Sequence, residues 1–337
     1  MSRPCICIVS PALAEANNGN WHTASRWQRH LSSLARVDIT SRWEGQPVDA
    51  LIALHARRSA PSVSDYAARH PDRPLVVVLT GTDLYRDLPA GDADAARSLD
   101  LAHVVVVLQD EALGALPPQV QAKAHVIVQS APKFVRHDHA QRTFDMVAVG
   151  HLRPEKDPLT LMKAVRLLPT GSRLRVVHIG AALDAALGRE AEATMAECPR
   201  YRWLGPLPAP ASRRWIARSR ALVHMSRLEG GANVVIEALR SEVPVLASRI
   251  PGNVGLLGRD YEGYFTPGDA PGLAALMLRY AQDARYACRI AAQCAAMAPR
   301  YAPQVESAAV RGLIGSLLKR AQASAEKIVT FPIETSP

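Results

Sequence analysis

Aromatic side chains are scarce in this sequence, at 5% of 337 residues. A groove that stacks the bases of a single-stranded nucleic acid interleaves aromatics with cations, and that interleaving is missing. Cysteine is scarce too. Cys5, Cys7, Cys198, Cys288 and Cys294 form no C-x-x-C pair and have no paired histidines at ligand spacing, which excludes a zinc motif and a disulfide framework. Reduced thiols in a cytoplasm fit this usage, so a cytoplasmic protein is expected. No apolar run approaches the roughly eighteen residues of a membrane span. The first run, residues 5–9, is too short for a signal peptide core and reads as a buried strand. No G-x-G-x-x-G follows a strand, and Gly252, Gly255 and Gly258 have another spacing with no clear helical pattern after them. Nicotinamide chemistry is therefore not expected. No short-period repeat is present, which sets aside solenoids and propellers.

Charge is present in surplus but not in blocks. The 40 Lys and Arg against 31 Asp and Glu give +9, scattered along the chain apart from pairs such as Arg57-Arg58 and Arg213-Arg214. Without a basic tail or a basic amphipathic helix, neither nucleic acid nor a membrane is an expected partner, and small anionic substrates are. The length is that of about two domains. Hydrophobic residues at 48% and charged residues at 21% are those of an ordinary folded chain.

Short runs rich in Val and Ile alternate with helical patterns, which predicts parallel sheets wrapped by helices. The predicted strands are residues 5–10, 48–54, 75–80, 103–108 and 125–129, then 144–149, 174–179, 201–204, 221–225 and 243–247. A polar stretch ending at Arg142 separates the two series, so the expected lobes are 1–140 and 141–302. Asp157-Pro158 starts a helix that Pro169-Thr170-Gly171 stops. A helical tail from about Pro271 to Gln322, interrupted at Pro299 and Pro303, is expected to return to the first lobe over about 303–322. The fold class is α/β, with ligands at the carboxyl ends of strands.

Residues 226–239 follow a predicted strand and open a helix, with Glu229 and Glu237 in an E-x7-E spacing. A carboxylate accepts two hydrogen bonds from a vicinal diol, as in a ribose or hexose. Gly230 and Gly231 admit backbone N–H groups to an anion near the positive helix end. This stretch, followed by Pro244-Val245, resembles the signature of glycosyltransferase family four, whose GT-B fold has two Rossmann-like doubly wound lobes facing a cleft. The resemblance implies that Glu237 binds the ribose of a UDP-sugar. It also implies that Glu229 contacts the donor sugar together with the backbone of Gly230, Gly231, Ala232 and Asn233. At residues 149–157 the family pattern has Arg directly after Gly150 and Lys five residues later, both on the donor diphosphate. Lys156 matches, while His151 stands in place of the Arg and Arg153 lies two residues on. Both His151 and Arg153 are candidates for the second cation.

In the first lobe, Gly19 and Asn20 sit in a loop feeding a helix, an arrangement suited to an anion or a sugar. Residues 17–27, 51–60 and 79–85 together are similar to the selenosugar synthase branch of selenoneine biosynthesis. That resemblance implies attack by selenophosphate on the anomeric carbon of a UDP-sugar such as UDP-N-acetylglucosamine, with release of UDP and phosphate. No metal or other cofactor is implied, and the pathway neighbours are enzymes that supply selenophosphate and use the selenosugar. A selenium already anionic needs no general base, whereas its phosphate needs donors. His55, Arg57 and Arg58 on one loop, with Gly19, Asn20 and Thr82 across from it, are the candidates. Arg57 and Arg58 read equally well as a phosphate fork or as a solvated pair. His103 reads as structural. Two further functions compete: a conventional glycosyltransferase making an O-glycosidic bond, and a non-catalytic UDP-sugar binding module that needs Glu237 and Lys156 but no first-lobe phosphate site.

Overall fold

The computed structural model describes residues 3–14, 19–135 and 143–329, with side chains to residue 323. The expected boundary near residue 140, and Asn17 and Asn18 of the first loop, lie outside these residues. The chain divides into two units. The first contains residues up to Leu108, Ala115–Ile127 and the chain from Gln304, and the second contains Gln109–Gly114 and Val128–Pro303. Among the described residues, no helix is long and apolar enough to cross a membrane.

The first unit has strands β1 (Cys5–Val9), β2 (Arg36–Thr40), β3 (Ala50–Leu54), β4 (Leu75–Val78), β5 (Val104–Val107) and β6 (Ala124–Val126), parallel and ordered β2-β1-β3-β4-β5-β6. The central strands are apolar throughout and fully buried, as strands covered on both faces must be. Edge strand β2 was not among the predicted strands, because Arg36-Val37-Asp38-Ile39-Thr40 lacks an apolar run and buries only Val37.

The second unit repeats the plan with β7 (Phe144–Val149), β8 (Leu174–Ile179), β9 (Tyr201–Trp203), β10 (Ala221–His224), β11 (Val245–Ser248) and β12 (Tyr264–Phe265), ordered β12-β11-β10-β7-β8-β9. In each sheet the direction of chain progression reverses once, between β1 and β3 in the first and between β7 and β10 in the second. Crevices at such reversals, beyond the carboxyl ends of the strands, are where doubly wound sheets take ligands. The loops after β1 and β3, and those after β7 and β10, occupy these positions.

The helix Pro158–Arg166 begins at the predicted proline and ends a little before the predicted stop. The helical tail has one more break than the sequence suggests. Helices Ala270–Gln282 and Ala284–Met297 part at Asp283, whose side chain accepts the Tyr286 N–H at 3.0 Å and caps the second helix. After a short turn at Ala298–Tyr301, Pro303 opens the last helix, Pro303–Val329. Val310, Ile314 and Leu318, four residues apart, lie in the same buried cluster as Trp27 and Leu31 of the helix Gly19–Leu31.

Candidate active site

In the second unit, the ends of β7 and β8 approach closely. Gly180 has φ +154° and a Cβ there would overlap the carbonyl of Gly150, so only glycine allows this approach. His151 Nδ1 accepts the Ala181 N–H at 3.0 Å, which leaves its proton on Nε2. Burial first, then the Arg153 and Lys156 charges, push the His151 pKa below its ordinary value. Near neutral pH His151 therefore offers an N–H and no charge. Arg153, two residues on, has its Nε buried with no hydrogen-bond partner among the described residues.

Lys156 ends the turn Pro154–Lys156, and Asp157, at φ +46°, swings the chain into the following helix. Asp157 Oδ2 accepts from Thr160 Oγ1 at 2.8 Å and from Arg227 Nε at 2.9 Å, while the Arg227 N–H donates to Glu155 O at 2.8 Å. These bonds stitch the loop after β7 to the loop after β10, and they bring Lys156 onto Glu229 in a tight ion pair. Glu229 is buried, with His224 Nε2 3.3 Å from the same Oε1. Burial works against its charge, but the Lys156 ammonium and His224 outweigh it and hold the carboxyl well below the usual range. Gly252, in the helix Pro251–Leu257, fixes the other side. A Cβ there would overlap the Glu229 backbone carbonyl. Gly252 and Gly255 lie inside this helix, and Gly258 caps it at φ +89°.

The helix Asn233–Arg240 starts after Gly230 and Gly231, and its N-cap, Ala232, has no side chain to satisfy the first-turn N–H groups. Glu237 lies just over a turn inside it and accepts from Arg213 Nε at 2.8 Å. His224, Arg213 and Arg227 were not singled out from sequence. Their partners are 5 to 70 positions away, and no local spacing marks them.

In the first unit, buried Asp83 accepts N–H bonds from Thr80 (2.9 Å), Gly81 (2.8 Å), Leu84 (3.1 Å) and Ala56 (3.0 Å), which ties the loop after β4 to the loop after β3. His55 is buried at φ +71°, a left-handed conformation costly for a non-glycine residue. Its Nδ1 accepts the Arg58 N–H at 3.4 Å, so Nε2 carries the hydrogen and donates to Thr82 Oγ1 at 2.9 Å. The Thr82 hydroxyl proton is then available to a ligand. Burial lowers the His55 pKa, partly offset by Asp83 and Asp87. Arg57 is engaged by carboxylates, Asp92 at 3.0 Å and Asp87 at 3.5 Å. Arg58 is exposed and has no ion-pair partner among the described residues. Gly19 opens the helix Gly19–Leu31, with Asn20 in its first turn. The loops bearing Gly19, His55 and Thr82 follow β1, β3 and β4, which are neighbours in the sheet. Among the described residues, no three His, Cys, Asp or Glu side chains are grouped to hold a metal ion.

Both units have the doubly wound architecture of GT-B enzymes, and comparison with solved structures agrees. Anabaena HepE in complex with UDP and glucose superposes with a TM-score of 0.70 at 17% identity, covering 93% of this chain and 100% of that one. The pneumococcal O-GlcNAc transferase GtfA in complex with UDP and GlcNAc gives a TM-score of 0.59 at 17% identity, over 83% of this chain and 57% of that one. Residues 143–283 match the family "Glycosyl transferases group 1". A curated relative, glycosyltransferase 1 domain-containing protein 1 of Xenopus tropicalis, is 25% identical over 284 residues, 76% of this chain and 82% of its own. The chain thus has the GT-B fold, and its second unit is similar in sequence to group 1 glycosyltransferases.

Proposed function

We propose that the chain is a glycosyltransferase that moves a hexosyl group, N-acetylglucosamine being the expected one, from a UDP-sugar to the selenium of selenophosphate. The observation that carries the donor half is the Lys156–Glu229 pair at the β7–β10 reversal, with Glu229 buried, together with a buried Arg153 Nε that has no hydrogen-bond partner among the described residues. Lys156 and Arg153 hold the diphosphate, while His151, being neutral, adds a hydrogen bond. Glu229 and the backbone of residues 230–233 meet the sugar, and Glu237, set by Arg213, takes the ribose.

The acceptor half rests on the resemblance of residues 17–27, 51–60 and 79–85 together with the donors of the first unit. His55 donates to the Thr82 hydroxyl, leaving its proton for a ligand, and Arg58 offers an exposed guanidinium, a set suited to phosphoryl oxygens. Gly19 and Asn20 add a helix start. Arg57 serves to hold the loop through Asp92 and Asp87. The selenium electron pair attacks the anomeric carbon, the bond from that carbon to the diphosphate oxygen breaks, and UDP leaves with those electrons. Water then cleaves the Se–P bond to give phosphate and the 1-selenosugar. No metal and no redox partner is needed for either step.

Mass spectrometry of a mixture of the protein, UDP-N-acetylglucosamine and selenophosphate tests the reading. A selenium-containing sugar product supports it. Transfer only to hydroxyl acceptors favours conventional O-glycosylation, and UDP-sugar binding without turnover favours a binding module. Glu237→Ala is expected to weaken UDP binding about 10- to 150-fold, because a charged acceptor for ribose hydroxyls is worth roughly 1.5–3 kcal/mol. Calorimetry of the folded variant checks this. Arg58→Ala is expected to raise KM for selenophosphate about tenfold or more with UDP affinity unchanged. Arg57→Ala is expected to lower the melting temperature with a smaller effect on KM, since its guanidinium is committed to carboxylates. Steady-state kinetics with selenophosphate separates the two.

A further inference from the structure

Resting on the donor reading above, we propose that His224 is a positioning residue that takes over Glu229 when Lys156 turns to the donor diphosphate. One carboxylate oxygen, Glu229 Oε1, has two claimants. Lys156 Nζ holds it, and His224 Nε2 lies 3.3 Å away. That nitrogen is buried and makes no aligned hydrogen bond among the described residues. A buried polar atom left without a partner costs stability, so its retention calls for an explanation.

The explanation lies in what donor binding asks of Lys156. An ammonium that pairs with Glu229 must reorient its N–H bonds toward phosphoryl oxygens when the diphosphate arrives. The Glu229 side chain is only 10% exposed, and a buried carboxylate stripped of its partner is strongly unfavourable. A replacement donor must already be at hand. Arg227 is committed to Asp157, and Arg213 to Glu237. His224, at the end of β10 with a side chain 3% exposed, is a donor in reach among the described residues, and a small turn of the carboxylate completes its bond. Glu229 thus keeps its place against Gly252 while its partner changes, and the loop after β10 presents the same surface to the sugar before and after the diphosphate binds.

The test is UDP binding by calorimetry in variants matched for side-chain length. Gln places an amide N–H at the same number of bonds from Cα as His Nε2, and Met fills that path with no donor. His224→Met is expected to weaken UDP binding about 10- to 150-fold, the range for a hydrogen bond to a charged group. His224→Gln is expected to stay close to wild type. In a Glu229→Gln background, His224→Met is expected to change UDP affinity little, because no buried charge then awaits a partner. UDP binding by His224→Met that equals wild type, or an undiminished loss in the Glu229→Gln background, overturns the exchange. If His224→Met does not fold, His224→Asn, whose amide falls one bond short, is read in its place with the same expected loss. A wild-type protein that binds no UDP overturns the donor reading and the exchange with it, whereas UDP binding indifferent to His224 overturns the exchange alone.

Discussion

Lys156→Ala is expected to cut turnover by a factor on the order of 10²–10³, by analogy with the removal of one preorganised oxyanion donor. In the proposed reaction negative charge on the diphosphate grows as the anomeric carbon separates from it, so a cation set at the leaving oxygen stabilises the transition state more than the ground state. The lysine is fixed in advance by the turn Pro154–Lys156 and by packing over Gly150. UDP affinity should fall by less than turnover does. Rapid-quench kinetics at saturating donor reads the step directly, and a change confined to KM would make Lys156 a binding residue only. The same variant carries a pH signature. In the wild type the Glu229 carboxyl is held well below its ordinary pKa in spite of burial. Its contribution to stability is therefore present above the unfolded-state pKa and is lost only as pH falls through the lowered folded value. Without Lys156, burial is opposed by His224 alone, the folded pKa climbs, and acid unfolding should begin at a higher pH. A circular dichroism titration checks the direction.

The parts of the fold that can be read from the sequence are those where burial is continuous. Val104–Val107 and Leu75–Val78 announce themselves because a strand covered on both faces tolerates no polar residue. Edge strands escape that constraint. Arg36–Thr40 carries polar residues at alternate positions, and Tyr264–Phe265 is only two residues long, so neither forms a run. The break at Asp283 was likewise hidden, since an aspartate inside a long helical pattern reads as a surface residue until its cap bond to Tyr286 is seen.

The candidate site divides in the same way. Glu229, Glu237 and Lys156 are legible because they sit at fixed offsets from glycines in two contiguous motifs. Their supports are not, because they are contacts between elements distant in sequence: Gly252 against Glu229, Arg227 on Asp157, Arg213 on Glu237. Arg57 and Arg58 show the limit of a doublet. Adjacent residues of one type look interchangeable in sequence, yet Asp87 and Asp92 engage one and leave the other to solvent. Similarly, His151 occupies a position where the family pattern has a cation. Its environment, burial first and then two neighbouring positive charges, with the Ala181 N–H donating to Nδ1, makes it neutral.

Glu306→Ala is expected to destabilise the first unit by about 3–5 kcal/mol, the cost of removing one partner from a buried charge cluster. The Glu306 side chain is fully buried, and Arg26, 12% exposed, meets it at 3.0 Å; Trp27 Nε1 donates to it at 3.1 Å and His30 lies 3.6 Å away. Truncation to Ala would take away the carboxylate that the Trp27 indole N–H and the Arg26 Nε share, and removing a buried acceptor costs more than the bond itself is worth. These contacts join the start of the helix Pro303–Val329 to the helix Gly19–Leu31, and the apolar stripe Val310, Ile314 and Leu318 continues the seam. Loss of the clamp should therefore appear first as faster amide hydrogen exchange in these two helices, with the midpoint of urea unfolding shifted down. Glu306→Gln, which keeps an acceptor for Trp27 but gives up the charge facing Arg26, should lose less. On the proposed assignment of the acceptor to the Gly19 and Asn20 loop and of UDP to the second unit, loosening the helix Gly19–Leu31 should also raise KM for the acceptor while UDP affinity stays near wild type. Exchange that accelerates equally in both units would show instead that Glu306 supports the chain as a whole.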